Sequence, residues 1–280
     1  MGIKEHLFIV FGEEHYNPLG AIRSLGEYGI KPIAVIIKSQ YIIASSSKYI
    51  HKLFYVKTVE EGYDLIVKNY INLKHKPFII TCDDHITSFL DLRYEEIKDT
   101  FYLYNAGEKG KITFYLNKNN INELAIKHGI KVPKAYVINK NEIPEKVEYP
   151  VITKSISSND GGWKDDVFIC SDVNELKAAL KKIKSNTILL QKFIDKKNEL
   201  CLDGFSVNKG KDVFISIAAS YNYIVPGQYS CDMTLSNFHD SKLFSKIKAM
   251  IAEIGYEGIF CIEFLIEKNG NLSFLEVNFR

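Results

Sequence analysis

Glu263, Glu276 and Asn278 are the side chains whose types and spacing point most directly to chemistry. Two apolar-rich runs, Gly258 to Ile266 and Leu272 to Phe279, flank Glu267-Lys268-Asn269-Gly270-Asn271, and Asn-Gly between such runs is the strongest short hairpin signal. With Asn269 and Gly270 as the loop, or a four-residue loop centred on them, Lys268 faces Asn271. Stepping outward then pairs Glu263 with Glu276 and Cys261 with Asn278. Faces alternate along a strand, so Asn278 joins both carboxylates on one face. Two carboxylates about 5 Å apart repel by roughly 3 kcal/mol at an effective dielectric of about 20. A hard divalent cation relieves that repulsion, and Mg2+ takes one or two carboxylates and completes its shell with phosphate oxygens. The plain alternative is a solvated sheet face with neighbouring lysines as counter-ions.

Lysines upstream favour the cation. Lys154 ends the apolar run Pro150 to Thr153 and precedes a small-residue loop, Ser155 to Gly162. A strand-end ammonium beside a loop rich in backbone donors can hold a polyphosphate, although a single loop-edge lysine is ordinarily just solvated. The Walker loop, the Rossmann glycine fingerprint and the protein-kinase catalytic elements are all missing.

The elements that must position these groups follow from periodicity. Short apolar runs (His6 to Gly12, Pro32 to Ile37, Leu53 to Val56, Pro77 to Cys82) alternate with amphipathic stretches (Pro18 to Gly29, Val59 to Leu73, Ile86 to Leu92), as in βαβ units on a parallel sheet. Phe101 to Asn105 reads as one more strand, and Asn105 to Gly110 as the domain boundary. Beyond it, Asn117 to His128 is helical with Gly129 as its stop. A small α/β unit follows, its helix at Asp172 to Ile183 capped by Ser171 or Asp172. Strands then dominate until a helix at Lys242 to Ile254 and the closing hairpin.

Composition sets outer limits. The 280 residues suit about two domains at roughly 150 residues each. A net charge of +2 gives no field suited to nucleic acid or an anionic membrane. No apolar run nears the roughly 18 residues that span a bilayer, and the N-terminus lacks a signal-peptide core, which implies the cytoplasm. Only Arg23, Arg93 and Arg280 are arginines, so each guanidinium merits a physical reason. Five cysteines without a C-x-x-C pair read as reduced thiols, not as a disulfide frame or thiolate metal site. His15, Asp83, Asp84 and His85 fall near strand ends where α/β sheets place ligand contacts, but capping and turn roles explain them equally well.

In chain order the pieces are Leu116-Asn117-Lys118 before Gly129-Ile130-Lys131-Val132-Pro133; Tyr149 to Lys154 with its Gly-rich loop; Leu190-Gln191-Lys192-Phe193-Ile194; Glu199 to Gly204; and Phe260-Cys261-Ile262-Glu263 with Leu275 to Arg280. This order resembles the ATP-grasp superfamily. Asn17 to Gly26 and Ser47-Lys48-Tyr49 are similar to the leading domain of its carboxylate-amine ligase branch, which includes D-aspartate ligase. The resemblance implies an α/β fold with an N-terminal parallel-sheet, pre-ATP-grasp domain over 1–110. An α+β ATP-grasp domain of two subdomains would follow, 111–190 with the lid and 191–280 with the metal site. The chain ends at Arg280, where relatives generally continue, so an ATP-grasp domain short of its C-terminal segment is expected.

By the same resemblance, Lys118 and Lys154 contact nucleotide phosphates, and Gly161 and Gly162 lie in the loop folding over them. Gln191, Lys192 and Ile194 meet adenine through backbone groups, and Glu199 accepts the ribose hydroxyls, although it stands one residue farther from the hinge than in some members. Glu263, Glu276 and Asn278 bind one or two Mg2+, with Mn2+ as a substitute. Arg280 steadies the transferred phosphoryl or the acyl phosphate. Cys261 stands where D-alanine–D-alanine ligases place an arginine, so their substrate geometry is not expected. The implied activity is ATP-dependent coupling of a small carboxylate to an amine, such as that of an amino acid, through an acyl phosphate. The alternatives are a nucleotide-binding module without turnover and a bicarbonate-activating relative of carbamoyl-phosphate synthetase. Substrates are small molecules, with no nucleic acid or membrane partner, and the oligomeric state stays open, a homodimer included.

Overall fold

The computed structural model describes residues 2–156, 163–224 and 232–280. They divide into two compact units: Met1–Thr113 with Tyr256–Gly258 and Phe279–Arg280, and Phe114–Gly255 with Ile259–Asn278.

The first unit carries β1 (Phe8–Glu13), α1 (Tyr16–Glu27), β2 (Ile33–Ile37), β3 (Lys52–Val56), α2 (Val59–Tyr70), β4 (Phe78–Thr81), α3 (Asp84–Asp91) and α4 (Tyr94–Ile97). Its four strands form a parallel sheet in the order β3-β2-β1-β4. Side chains alternate across that sheet. Ile9, Phe11, Ile33 and Val35 pack with Val59, Ile66, Ile86 and Leu90 on one face, while Val10, Ala34 and Ile36 pack with Ile22 and Ala44 on the other. Coverage of both faces explains why these strands are apolar throughout. Phe101 to Asn105, expected as a strand, makes only isolated bridges, Tyr102 with Phe78 and Asn105 with Glu257. Tyr102 N–H donates to Pro77 O and Ile79 N–H to Tyr102 O, both at 2.8 Å, and the pairing goes no further.

The unit boundary falls within α5 (Lys111–Leu116). The second unit continues with α6 (Lys118–Lys127), β5 (Ala135–Asn139), β6 (Val151–Ser155), β7 (Ile169–Cys170), α7 (Val173–Lys182), β8 (Thr187–Lys192), β9 (Lys196–Val207), β10 (Asp212–Tyr221), β11 (Met233–Ser236), α8 (Ser241–Ile254), β12 (Gly258–Glu267) and β13 (Leu272–Phe279). Asn117, Asp172 and Asp240 cap α6, α7 and α8 through their side-chain oxygens, each accepting from N–H groups a helix start would otherwise leave unpaired.

Two sheets organise this unit, β5-β8-β6-β7 and β11-β10-β9-β12-β13. In the first, Val151, Ile188 and Leu190 pack against Leu176, Ala179 and Leu180 of α7. In the register Ile152 opposite Gln191 and Lys154 opposite Leu189, the reverse face carries Lys154 and Gln191. In the second sheet, buried Phe260, Ile262 and Phe264 alternate with partly exposed Cys261 and Glu263 on β12.

The closing hairpin differs from the expected register. Glu267 N–H donates to Asn271 O at 2.8 Å and Gly270 N–H to Glu267 O at 2.9 Å, with Gly270 at φ +86°. This three-residue connection exploits glycine's access to the left-handed region and sets Glu267, rather than Lys268, against Asn271. Regular continuation would turn Asn278 away from Glu263, yet Asn278 Nδ2 donates to Glu263 Oε1 at 2.9 Å. The ladder therefore takes up one residue between turn and site, as a bulge does. Successive buried Ser273 and Phe274 on β13 mark the break in alternation.

Candidate functional site

The second unit brings two lysines to three ligand-type side chains. Lys118 opens α6, anchored by its N–H to Ile156 O at 2.8 Å, and its Nζ lies 3.9 Å from Glu276 Oε2. Lys154 Nζ donates to Oε1 of buried Gln191 at 2.9 Å. Burial brings the Lys154 amine down to about 8. Glu276 and Glu263 oppose that fall, and Lys118 and Lys196 reinforce it. Lys154 thus feels both hairpin carboxylates and both neighbouring cations. Asn278, 8% exposed, donates through Nδ2 to Glu263 Oε1 at 2.9 Å. Glu263, Glu276 and Asn278 all carry side-chain oxygens, the ligand type that Mg2+ takes.

The remaining expected residues are distributed differently. Lys192 Nζ donates to Tyr149 O at 2.9 Å and to Glu148 O at 3.2 Å. The backbone N–H groups of Lys192 and Phe193 already donate to Lys134 O and Pro150 O, at 2.8 and 3.0 Å, so an adenine beside Lys192 and Ile194 could not use those two donors. Glu199 is ion-paired with Lys196, a cation the motif reading did not single out. Its place three residues before Glu199 was the available signal, but strand alternation alone would set residues so spaced on opposite faces. Gly161 and Gly162 lie outside the described residues, as does most of the expected lid from Ser155 to Lys164.

Arg280 belongs to the first unit, where its Nη1 lies 3.4 Å from Asp84 Oδ1 and its carbonyl accepts from Tyr256 Oη at 2.9 Å. Also in that unit, His15 Nδ1 accepts from Asn17 N–H at 3.3 Å to cap α1. Asp83 Oδ1 accepts from Ile86 N–H at 2.8 Å to cap α3, and burial lifts its carboxyl to about 6. The capping role thus accounts for two of the four strand-end residues.

A parallel-sheet first unit and a two-sheet second unit that carries facing lysine and carboxylate groups agree with the α/β and α+β fold expected of an ATP-grasp protein. Residues 116–215 match the model of the RimK-like ATP-grasp domain, which confirms the superfamily relationship that the motif order implied. That segment contains Lys118, Lys154, Gln191, Lys192, Ile194 and Glu199 and stops before Glu263. No curated protein sequence matches the chain.

Solved structures share the fold. An L-amino acid ligase from Bacillus licheniformis aligns over 98% of this chain and 67% of its own, at 15% identity and a TM-score of 0.74. N5-carboxyaminoimidazole synthetase from Staphylococcus aureus, complexed with ADP, aligns over 98% and 70%, at 15% identity and a TM-score of 0.68. The biotin carboxylase domain dimer of the Hydrogenobacter thermophilus 2-oxoglutarate carboxylase, in complex with MgADP, ADP and bicarbonate, aligns over 98% and 64%, at 18% identity and a TM-score of 0.67. The chain thus spans about two-thirds of each. Among the described residues no helix is long and apolar enough to cross a membrane.

Proposed function

We propose that the second unit binds ATP with Mg2+ and that the protein is an ATP-dependent ligase, activating a carboxylate as an acyl phosphate and coupling it to an amine such as that of an amino acid. The observation that carries this is the convergence of Lys118 and Lys154 on the carboxylates of Glu276 and Glu263 within one unit. Each cation there has an acidic neighbour, and a nucleotide polyphosphate with its metal would satisfy both sets at once. The RimK-like match and the shared fold support the same reading.

Glu263, Glu276 and Asn278 would hold Mg2+, which when bound supplies charge neutralisation and orientation of the phosphates. Lys118 and Lys154 bind the phosphate oxygens, with Gln191 fixing the Lys154 ammonium. Lys192 and Ile194 border the adenine. Glu199 exchanges Lys196 for the ribose hydroxyls, and Gly161 and Gly162 supply the lid. Arg280 is kept as the donor array for the transferred phosphoryl on its chemistry alone. A substrate carboxylate oxygen attacks the γ-phosphorus and the bond to ADP breaks. The amine nitrogen then attacks the acyl carbon, releasing phosphate and a proton. Positioning and charge neutralisation dominate such transfers, so no protein nucleophile is required.

ADP release measured with Mg2+ and a panel of amino acids tests this. Stimulation by a carboxylate and amine pair, falling about 100-fold in Lys154→Met, is expected. Tight ATP binding that no pair converts to turnover would identify a binding module instead.

A further inference from the structure

Cys201 on β9 and Cys261 on β12 occupy neighbouring strands of the five-stranded sheet. Glu263 follows two residues after Cys261 and shares its face. One ligand atom from each of the three, two thiol sulfurs and a carboxylate oxygen, lies within 4.8 Å of the others, and all three side chains are partly exposed. The two thiols contact one another, and Asn278 Nδ2 donates to Glu263 Oε1 at 2.9 Å. Two sulfurs beside one carboxylate are a poor set for Mg2+, which takes oxygen ligands. They suit zinc, whose bonds run about 2.3 Å to thiolate and about 2.0–2.2 Å to carboxylate. Two ligands of one tetrahedral ion stand about 3.6–3.8 Å apart, so side-chain rotations that move the ligand atoms by up to about 1 Å would close the observed triangle.

We propose that Cys201, Cys261 and Glu263 form a site for a thiophilic divalent cation of the Zn2+ class. Three protein ligands leave a fourth, solvent-filled position. On binding, each thiol loses its proton to solvent and two sulfur–metal bonds and one oxygen–metal bond form, with no change of oxidation state. The scattered cysteines give no such signal in sequence, because the pairing crosses between strands 60 positions apart. A consequence rests on the proposed nucleotide reading: Glu263 serves both cations, so the thiophilic ion and Mg2+-ATP exclude each other.

Cd2+ titration of the full chain, kept reduced with a phosphine, tests the site. A sulfur-to-metal charge-transfer band saturating at one ion per chain is expected, with Cd2+ protecting Cys201 and Cys261 from iodoacetamide while buried Cys82 and Cys170 are unaffected. Cys201→Ser and Cys261→Ser should each weaken Cd2+ at least about 10-fold. Absence of the band, or an unchanged band in both serine variants, overturns the proposal. Should a variant misfold, alkylation mapping of the unaltered chain decides alone, and protection that spares both cysteines overturns it. Cd2+ should also weaken binding of a Mg2+-ATP analogue in the unaltered chain and not in Cys201→Ser. Thiolate binding of Cd2+ by a chain that takes up no nucleotide upholds this site and sinks the nucleotide reading.

Discussion

Glu14, Asp83 and Asp91 of the first unit accept from its own N–H groups, whereas Glu276 of the second lies beside a lysine. Glu14, 6% exposed, accepts through Oε2 from the N–H groups of Ile43, Ala44 and Ser45 at 2.9, 2.8 and 3.2 Å. Asp83 caps α3, and Asp91 Oδ2 accepts from Thr113 N–H and Oγ1 at 2.8 and 2.7 Å. Glu276 instead lies 3.9 Å from Lys118, and Glu263 shares a face with two thiols. A carboxylate whose oxygens close backbone loops has a structural job. One held among movable cationic side chains can exchange those partners for a ligand, since such pairs contribute little to stability.

Three measurements break or sharpen this contrast. The largest effect is expected from Glu14→Ala, which strands three backbone donors, that of buried Ala44 among them, and should cost about 3 kcal/mol of stability in chemical denaturation. A loss below about 1 kcal/mol would mean that the first unit's acids are not structural in the sense argued.

Next is the pH response of Lys154, whose amine titrates at about 8 in the folded chain. Phosphate contact needs the ammonium. Above pH 8 binding must take up a proton, and affinity for an ATP analogue should fall by about 1.4 kcal/mol, or tenfold, per pH unit. Lys154→Met should abolish that slope. Stability runs the other way: the folded value lies below the unfolded one, so the cost of holding the buried ammonium is fully present below about 8 and is relieved as pH rises toward 10.5. A flat affinity profile from pH 7 to 9 would contradict this placement of Lys154.

Much of this was legible in sequence because it is local. Asn117, Asp172 and Gly129 punctuate helices through chemistry a few residues away, and the apolar runs of β1 and β2 announce a sheet covered on both faces. The hairpin was legible as a hairpin, but not its register, because Gly270 in the left-handed region permits a three-residue turn and the ladder then absorbs the slip. Lys118, Lys154, Glu263 and Glu276 could be named from motif order, whereas the Lys196 partner of Glu199 and the meeting of Cys201 with Cys261 depend on local strand geometry and on which strands become neighbours. Phe101 to Asn105 had a strand's apolar content without a ladder to join.

The smallest effect on stability and the largest on function should fall together at Glu276. Calorimetric binding of a non-hydrolysable ATP analogue, with and without Mg2+, to the unaltered chain and to Glu276→Gln tests the central claim most directly. Glu276→Gln should unfold within about 1 kcal/mol of the unaltered chain yet lose at least about 10-fold of its Mg2+-dependent affinity. Undiminished Mg2+-dependent binding by Glu276→Gln would contradict the account.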